Sequence, residues 1–438
     1  MATPRQKNTP ATPAPTAIDA RRRRGRPYRL PDDPTPIHAP VAGLHQRIAW
    51  LLGVSRIHGS QVGSTRRERF IDELKSLGIA ADTSRISRWE SGRAPVPGSV
   101  LDAYERILGL TRGQLVSAAA GTLGSSEHVP IRPEALDIDS IHAHQLLDEL
   151  FEEVFGGAAA GHTWMNLCAL LTRDRDLYLL PDTWAQVSER LTDELGRSSG
   201  LAYVSRFEAL RMLVRHPASQ RPAVKAVGAL VTNPAIEFVV HPLSLLQEVE
   251  DPNATALLLR LLDDAPGHLR SGSAWALAGK VVRGHFAGEE LERLHVASLE
   301  MLQHSRTSTH RLDALAIHAA LPLESDRRLT SASLDDDIRA ALALARLHAE
   351  HVEPEVALSV STTLAERVQD ETVTAHPVDP DLMLRRLTRE LLFHVSHERR
   401  YQAALLIAVS PYRPRMADEL LRLAQGRDEH TAALAMTA

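Results

Sequence analysis

Twenty-one histidines and one cysteine are the side chains in this 438-residue sequence best suited to hold a metal ion or attack a substrate. Two histidine pairs, His142/His144 and His394/His397, have spacings compatible with ligands of one ion. Neither is completed, because no cysteine or carboxylate extends them into an HExxH or Cys/His zinc pattern. The remaining histidines fall singly along helical stretches, where a solvated or hydrogen-bonded ring is the expected state. Cys168 stands in the apolar "WMNLCALL", the setting of an inert buried thiol, and a lone cysteine leaves no partner for a disulfide within the chain. There is no glycine-rich phosphate loop, no Gly-x-Ser-x-Gly elbow, and no kinase or glycosidase constellation. Neighbouring acids such as Glu152/Glu153 and those of "LDDD" read as solvated faces or helix starts. The expectation is a protein with no catalytic residue, no metal site and no cofactor, and therefore not an enzyme.

The chemistry on offer is recognition. "DTSRISRWESGR", residues 82–93, gathers small hydroxyls, three arginines and a tryptophan in a chain whose aromatic content is only 4%. Asp82 or Thr83 can cap a helix by giving a side-chain oxygen to an orphan N–H. Ile86 and Trp89 then share a buried face, while Ser84, Arg85, Ser87 and Arg88 project from the opposite one. A helix anchored on one side and rich in donors on the other is what insertion into a DNA groove requires. Trp89 is here an anchor that fixes the angle of the arginine face. Gly92 stops the helix, and Arg93 follows where the phosphate backbone would pass.

The elements that must position this helix are themselves short helices. "LHQRIAWLLGVSRI" sets Leu44, Ile48, Leu51 and Leu52 on one face. Thr65 is a candidate cap for "RRERFIDELKSLG", whose stripe is Phe70, Ile71, Leu74 and Leu77 and whose stop is Gly78. After "APVPG" comes a helix carrying Val100, Leu101, Tyr104, Ile107 and Leu108, and "TRGQLVSAA" forms a fifth. Arg66, Arg67 and Arg69, at the start of the second helix, suit phosphates flanking the groove.

"SRISRWESGRAPVPGSVLDAYERILGLTRGQL" resembles the recognition helix and following helices of Cro/C1-type (XRE family) helix-turn-helix regulators of high-GC bacteria. The matching residues are Ser87, Arg88, Trp89, Glu90 and Gly92, then Pro95 and Pro97. The similarity covers about 80 of the 438 residues. It implies base contacts from Thr83, Ser84, Arg85 and Arg88, and a fold-bracing role for Glu90. Ser87 and Arg93 join the phosphate contacts, and a homodimer would bind two-fold sites on double-stranded DNA. Two departures bear on the docking angle: a longer turn, "GIAADTSRI", and a wider gap, "HGSQVGST", before the second helix.

Upstream, "RRRRGRPYR" contains Arg24-Gly25-Arg26-Pro27, similar to the core of an AT-hook. Arg24 and Arg26 either enter a narrow minor groove or serve a non-specific phosphate-binding arm. Charge is divided in the same sense. Residues 1–121 hold 19 Arg/Lys against 10 Asp/Glu, a balance of +9, and the remaining 317 residues carry −14. A basic binding end joined to an acidic body is the pattern expected of a nucleic-acid binder.

Composition divides the chain into a Pro-rich, basic, disordered tail (1–40), a helix-turn-helix domain (41–120), a linker (121–139) and a helical region (140–438). In the last, "LRSGSAWALAG", "HRLDALAIHAAL" and "DIRAALALARLHAE" each place an arginine ahead of small residues at helix-packing spacing. The expected fold class is all-α: a five-helix DNA-binding domain, then an irregular HEAT/TPR-like α-solenoid or a helical bundle. No apolar run approaches the roughly 20 residues of a membrane span. The expectation is a cytoplasmic, nucleoid-associated transcription regulator whose large region mediates dimerisation or senses a small-molecule, peptide or protein effector. The alternative is a DNA-tethered scaffold that binds peptides or proteins through its helical repeats.

Overall fold

A computed structural model describes residues 28–39, 42–58, 67–123, 140–157, 159–173, 179–236, 240–264, 267–286, 288–304, 307–322, 334–372 and 378–426. Among the described residues the chain is all-helical, with no strand and two isolated bridges, Tyr28–Val378 and Glu350–His394. Five helices form where local pattern places them: α1 (Leu44–His58), α2 (Arg67–Ser76), α3 (Thr83–Glu90), α4 (Gly98–Leu108) and α5 (Gln114–Leu123). Their ends are set by chemistry. The Asp82 carboxylate accepts the Arg85 N–H at 2.7 Å to start α3, and Gly109, at φ 65°, ends α4 in the left-handed region. Thr65 lies outside the described residues.

Eleven α-helices follow: α6 (Ser140–Gly156), α7 (Gly161–Arg173), α8 (Pro181–Gly196), α9 (Gly200–Arg215), α10 (Pro217–Val231), α11 (Val240–Ser244), α12 (Pro252–Asp264), α13 (Gly267–Val282), α14 (Glu289–His304), α15 (Ser308–Ala320) and α16 (Asp336–His348). Each packs on helices one or two places along the chain, as α7 does on α9, α8 on α10, and α13 on α15. The three arginine-led segments become α13, α15 and α16. Their small residues, among them Ala274, Ala314 and Ala345, are buried, which lets neighbouring backbones approach closely. The arginines tie back to preceding carbonyls: Arg270 donates to Leu262 O at 3.1 Å and Arg339 to Leu334 O at 2.9 Å.

The last four helices, α17 (Pro354–Asp370), α18 (Leu382–Phe393), α19 (His397–Val409) and α20 (Arg413–Ala424), return to the first five. One core holds Trp50, Phe70, Trp89 and Tyr104 together with Val368, Met383, Leu387, Leu406 and Tyr412. The expected boundaries at 120 and 140 are therefore not the boundaries of the cores. α5 runs through Gly121 to Leu123, and the C-terminal helices complete the unit that contains α3. The physical reason is buried polarity within α1. Trp50 Nε1 donates to the Asp381 carboxylate at 2.9 Å, and the fully buried Arg47 donates to Asp33 at 2.9 Å and Glu390 at 2.6 Å. Without α18 and its leading loop Trp50 Nε1 would lose its acceptor and Arg47 would keep only Asp33, a costly loss in a dry core.

A second correction concerns the tail. Composition assigns residues 28–39 to a disordered segment, yet they run across this junction with Leu30 and Asp33 buried. Asp33 accepts from Arg47, from Thr35 and from the Gly43 N–H, and Arg386 donates to the Asp33 carbonyl at 2.9 Å. A short proline-rich segment has little apolar area to bury, but here its polar groups find fixed donors.

Candidate nucleic-acid interface

α3 is backed by a dry core. Ile86 is fully buried and Trp89 is 8% exposed, both packed in the core that α1, α4 and α5 share. Gly92 turns the chain away at φ 71°, and a Cβ there would lie 3.2 Å from Gln46 Cα, so a side chain would meet both strain and backbone. Below the helix sits a buried polar brace. Glu90 accepts from Arg56 at 2.5 and 2.7 Å, from Tyr28 Oη at 2.8 Å and from Tyr104 Oη at 3.0 Å. Burial alone would raise the Glu90 carboxyl; Arg56 and the two hydroxyls hold it below the ordinary range. Arg56 also lies over the Tyr28 ring, 5.6 Å from its centroid.

The opposite face of α3 is open. Thr83, Ser84, Arg85, Ser87 and Arg88 are all exposed, as is Arg93 beyond the turn. No described carboxylate pairs with Arg85, Arg88 or Arg93. Arg85 folds back, its Nη1 donating to Ala80 O at 2.5 Å across the turn before α3. Arg67 leans inward, with Nη2 3.8 Å from Glu90 and about a third of its side chain accessible. Arg69 is exposed and pairs with Glu73 at 3.2 Å. Arg66, Arg24 and Arg26 lie outside the described residues; the segment carrying the last two enters the described structure at Tyr28, directly beside Glu90.

The residues that local reading overlooks are Tyr28, Arg47 and Arg56. The apolar stripe on α1 leaves the side its arginines take undecided, and in the structure every residue from Arg47 to Ile57 is buried. The available clue was two guanidiniums inside an otherwise apolar run, which demand buried acids somewhere else in the chain.

Of the two histidine pairs, His394 and His397 have described partners within the fold. His394 is buried, its Nδ1 accepting the Ser396 N–H at 2.9 Å, and His397 faces the Arg400 guanidinium. The side chain of His142 lies outside the described residues. Among the described residues no group of three His, Cys, Asp or Glu could hold a metal ion. Cys168 is fully buried and its thiol is pushed up by burial, which makes it a poor nucleophile. No described helix is long and apolar enough to cross a membrane.

Comparison with protein-family models, curated proteins and solved structures finds no match to the chain.

Proposed function

We propose that this protein is a sequence-specific DNA-binding transcription regulator in which α3 enters the major groove. The observation that supports it most directly is the two-sided character of α3. Its outer face presents two arginines with no described carboxylate at ion-pair distance, three small hydroxyls and nothing apolar; its inner face is fixed by Ile86, Trp89 and the Glu90 brace. Guanidinium forks and hydroxyls match base edges and phosphates, and a rigid backing gives them a defined register. In this reading Arg88 and Ser84 read bases, and Arg85 joins them once it leaves the Ala80 carbonyl. Arg93 and Arg69 lie along phosphates. The basic segment before Tyr28 adds a second contact on the same duplex, since Tyr28 is held at the end of α3.

The protein acts as a homodimer on half-sites one DNA turn apart, in the cytoplasm of its cell, and helices beyond α5 carry its regulation. The test is a titration of the intact chain with duplexes recovered by repeated selection from a random library at low ionic strength. Enrichment of a symmetric sequence supports the reading, and retention of no duplex refutes it.

A further inference from the structure

Six arginines are buried among the described residues: Arg47, Arg56, Arg206, Arg211, Arg399 and Arg400. Five have a carboxylate at 2.5 to 3.4 Å. Arg400 has no described carboxylate within ion-pair distance, and imidazoles take that place. Its Nη1 donates to the His394 carbonyl at 3.1 Å and lies 3.2 Å from His351 Nε2, and its Nη2 lies 2.5 Å from His397 Nδ1. A guanidinium carries only N–H donors, so each of these ring nitrogens must offer it a lone pair. Both contacts therefore hold only while His351 and His397 are neutral. A proton on either facing nitrogen turns an acceptor into a donor and sets cation against cation in a buried site, where charge is tolerated only when paired.

Several parts of the chain meet at this guanidinium. α19 brings His397 and Arg400, and the turn before α17 brings His351. On α13, Trp275 stacks on His397 with centroids 4.5 Å apart; on α15, Asp313 lies 3.9 Å from His397 Nε2. His241 of α11 meets Trp275 edge-on at 5.4 Å and acts on His397 through its field. At the end of α18, His394 gives its carbonyl to Arg400 while its ring accepts the Ser396 N–H. The nearby acids are engaged elsewhere: Glu350 with Arg389 at 2.6 Å, Glu390 with Arg47 and Arg399, and Glu398 with Gln247 at 2.9 Å. The acid whose field reaches Arg400 is Asp313, itself hydrogen-bonded to Ser271. Burial, reinforced by Arg400, holds the His397 ring well below the ordinary imidazole value, and burial pushes the Asp313 carboxyl up to about 6.

We infer that this junction is an acid-sensitive joint, in which protons on His351 and His397 part the start of α19 from α13, α15 and the turn before α17. His397 keeps 14% of its side chain accessible, so water can deliver its proton without prior opening. The sign follows from linkage. A ring that must stay neutral stabilises the closed joint above about pH 6.5, and that contribution is lost as pH falls. Asp313 works the other way: the closed joint holds its proton more tightly, so its contribution is present in acid and lost as pH rises through about 6. Opening lets two rings take up protons and releases the one on Asp313, a net uptake of about one. The open population should therefore rise about tenfold per pH unit between about pH 6 and 5. α19 carries the joint to the unit that holds α3, since Arg399 pairs with Glu390 beside Arg47, and Leu405 and Leu406 lie in the core shared with α1 and α5. Any effect on duplex binding rests on the proposed function; the joint itself does not.

The experiment is amide hydrogen exchange of the intact chain, resolved by peptide and corrected for the intrinsic rate, at about pH 7, 6 and 5. Protection over residues 349–353 and 394–401 should fall about tenfold between the last two values, while α7 and α9 keep theirs. His397→Gln leaves Arg400 an acceptor that takes no proton, and should flatten that fall. Asp313→Asn removes the opposing group while keeping an acceptor for Ser271, and should steepen it to about a hundredfold per pH unit. If His397→Gln does not fold, the wild type and Asp313→Asn decide. The proposal is overturned by any of four results: protection of both segments that does not change with pH, a loss shared equally with α7 and α9, a wild-type slope in His397→Gln, or one in Asp313→Asn. Duplex titration at the same pH values is a separate readout, so loss of one leaves the other standing.

Discussion

Replacing Glu390 with glutamine keeps the shape of the side chain and removes the charge on which three guanidiniums converge. Arg47 Nη2 lies 2.6 Å from its carboxylate, Arg399 at 2.7 Å and Arg386 at 3.0 Å, and Glu390 is fully buried. An amide accepts through one oxygen and points N–H donors toward the remaining cations. Breaking a buried pair by removing one partner costs about 3–5 kcal/mol. Arg47 keeps Asp33 and Arg386 keeps the carbonyls of residues 33 and 35, which argues for the lower end, about 3 kcal/mol. For a cooperative unit of this size that lowers the melting temperature by roughly 6–12 °C. The assay is calorimetry with amide hydrogen exchange resolved by peptide. Because α1 and α18 share one core, protection in α1–α5 and in α17–α20 should fall together in Glu390→Gln. Loss confined to α18, with α1–α5 protected as in the wild type, would refute the shared core. The pH dependence carries a sign as well. Although burial opposes it, the arginines hold the Glu390 carboxyl well below the ordinary carboxylate range. Its contribution is therefore present at neutral pH and lost as acid approaches that low value, so the gap between wild type and variant should narrow in acid.

Trp89→Ala opens a cavity behind α3 and should destabilise its unit by about 3–5 kcal/mol with loss of duplex binding; an unchanged melt contradicts the anchor role. Burial pushes the Asp381 carboxyl up to about 6, with N–H donors from Leu384 and Trp50 opposing it. The folded chain thus holds that proton more tightly than the unfolded one, and its contribution is present in acid and lost as pH rises through about 6. Asp381→Asn should flatten that fall, measured by denaturant midpoints across the same range, and a slope like the wild type's counts against the assignment. Removing residues 1–27 leaves the described contacts of residues 28–39 in place and should leave the melt unchanged. The same truncation should weaken duplex binding and reduce the log–log salt slope by about 0.9 for each phosphate those residues neutralise.

α3 is legible in the sequence because everything that makes it is local: a capping Asp82, an apolar pair three residues apart, and a glycine stop. The open face follows from those same residues. What stays hidden is partner choice across long separations. Arg47 and Arg56 satisfy a helical pattern equally well facing solvent or core, and the acids that decide the matter are Glu390 and Glu90, 343 and 34 residues away. An amphipathic stripe on α18 or α19 says that one side is buried, not what covers it, so their return to α1 and α5 leaves no local mark. The segment 28–39 reads as unable to fold because, beyond Leu30 and part of Tyr28, it buries little apolar area and its order rests on donors from Arg47 and Arg386.

The most direct measurement compares wild type and Arg88→Ala on a selected duplex and a random one at the same salt concentration. Arg88→Ala should lose about 1–3 kcal/mol of discrimination between them, the worth of one bidentate base contact, while melting as the wild type does. A wild-type chain that retains no duplex at low ionic strength, or an Arg88→Ala chain that discriminates undiminished, contradicts the assignment of α3 to the groove.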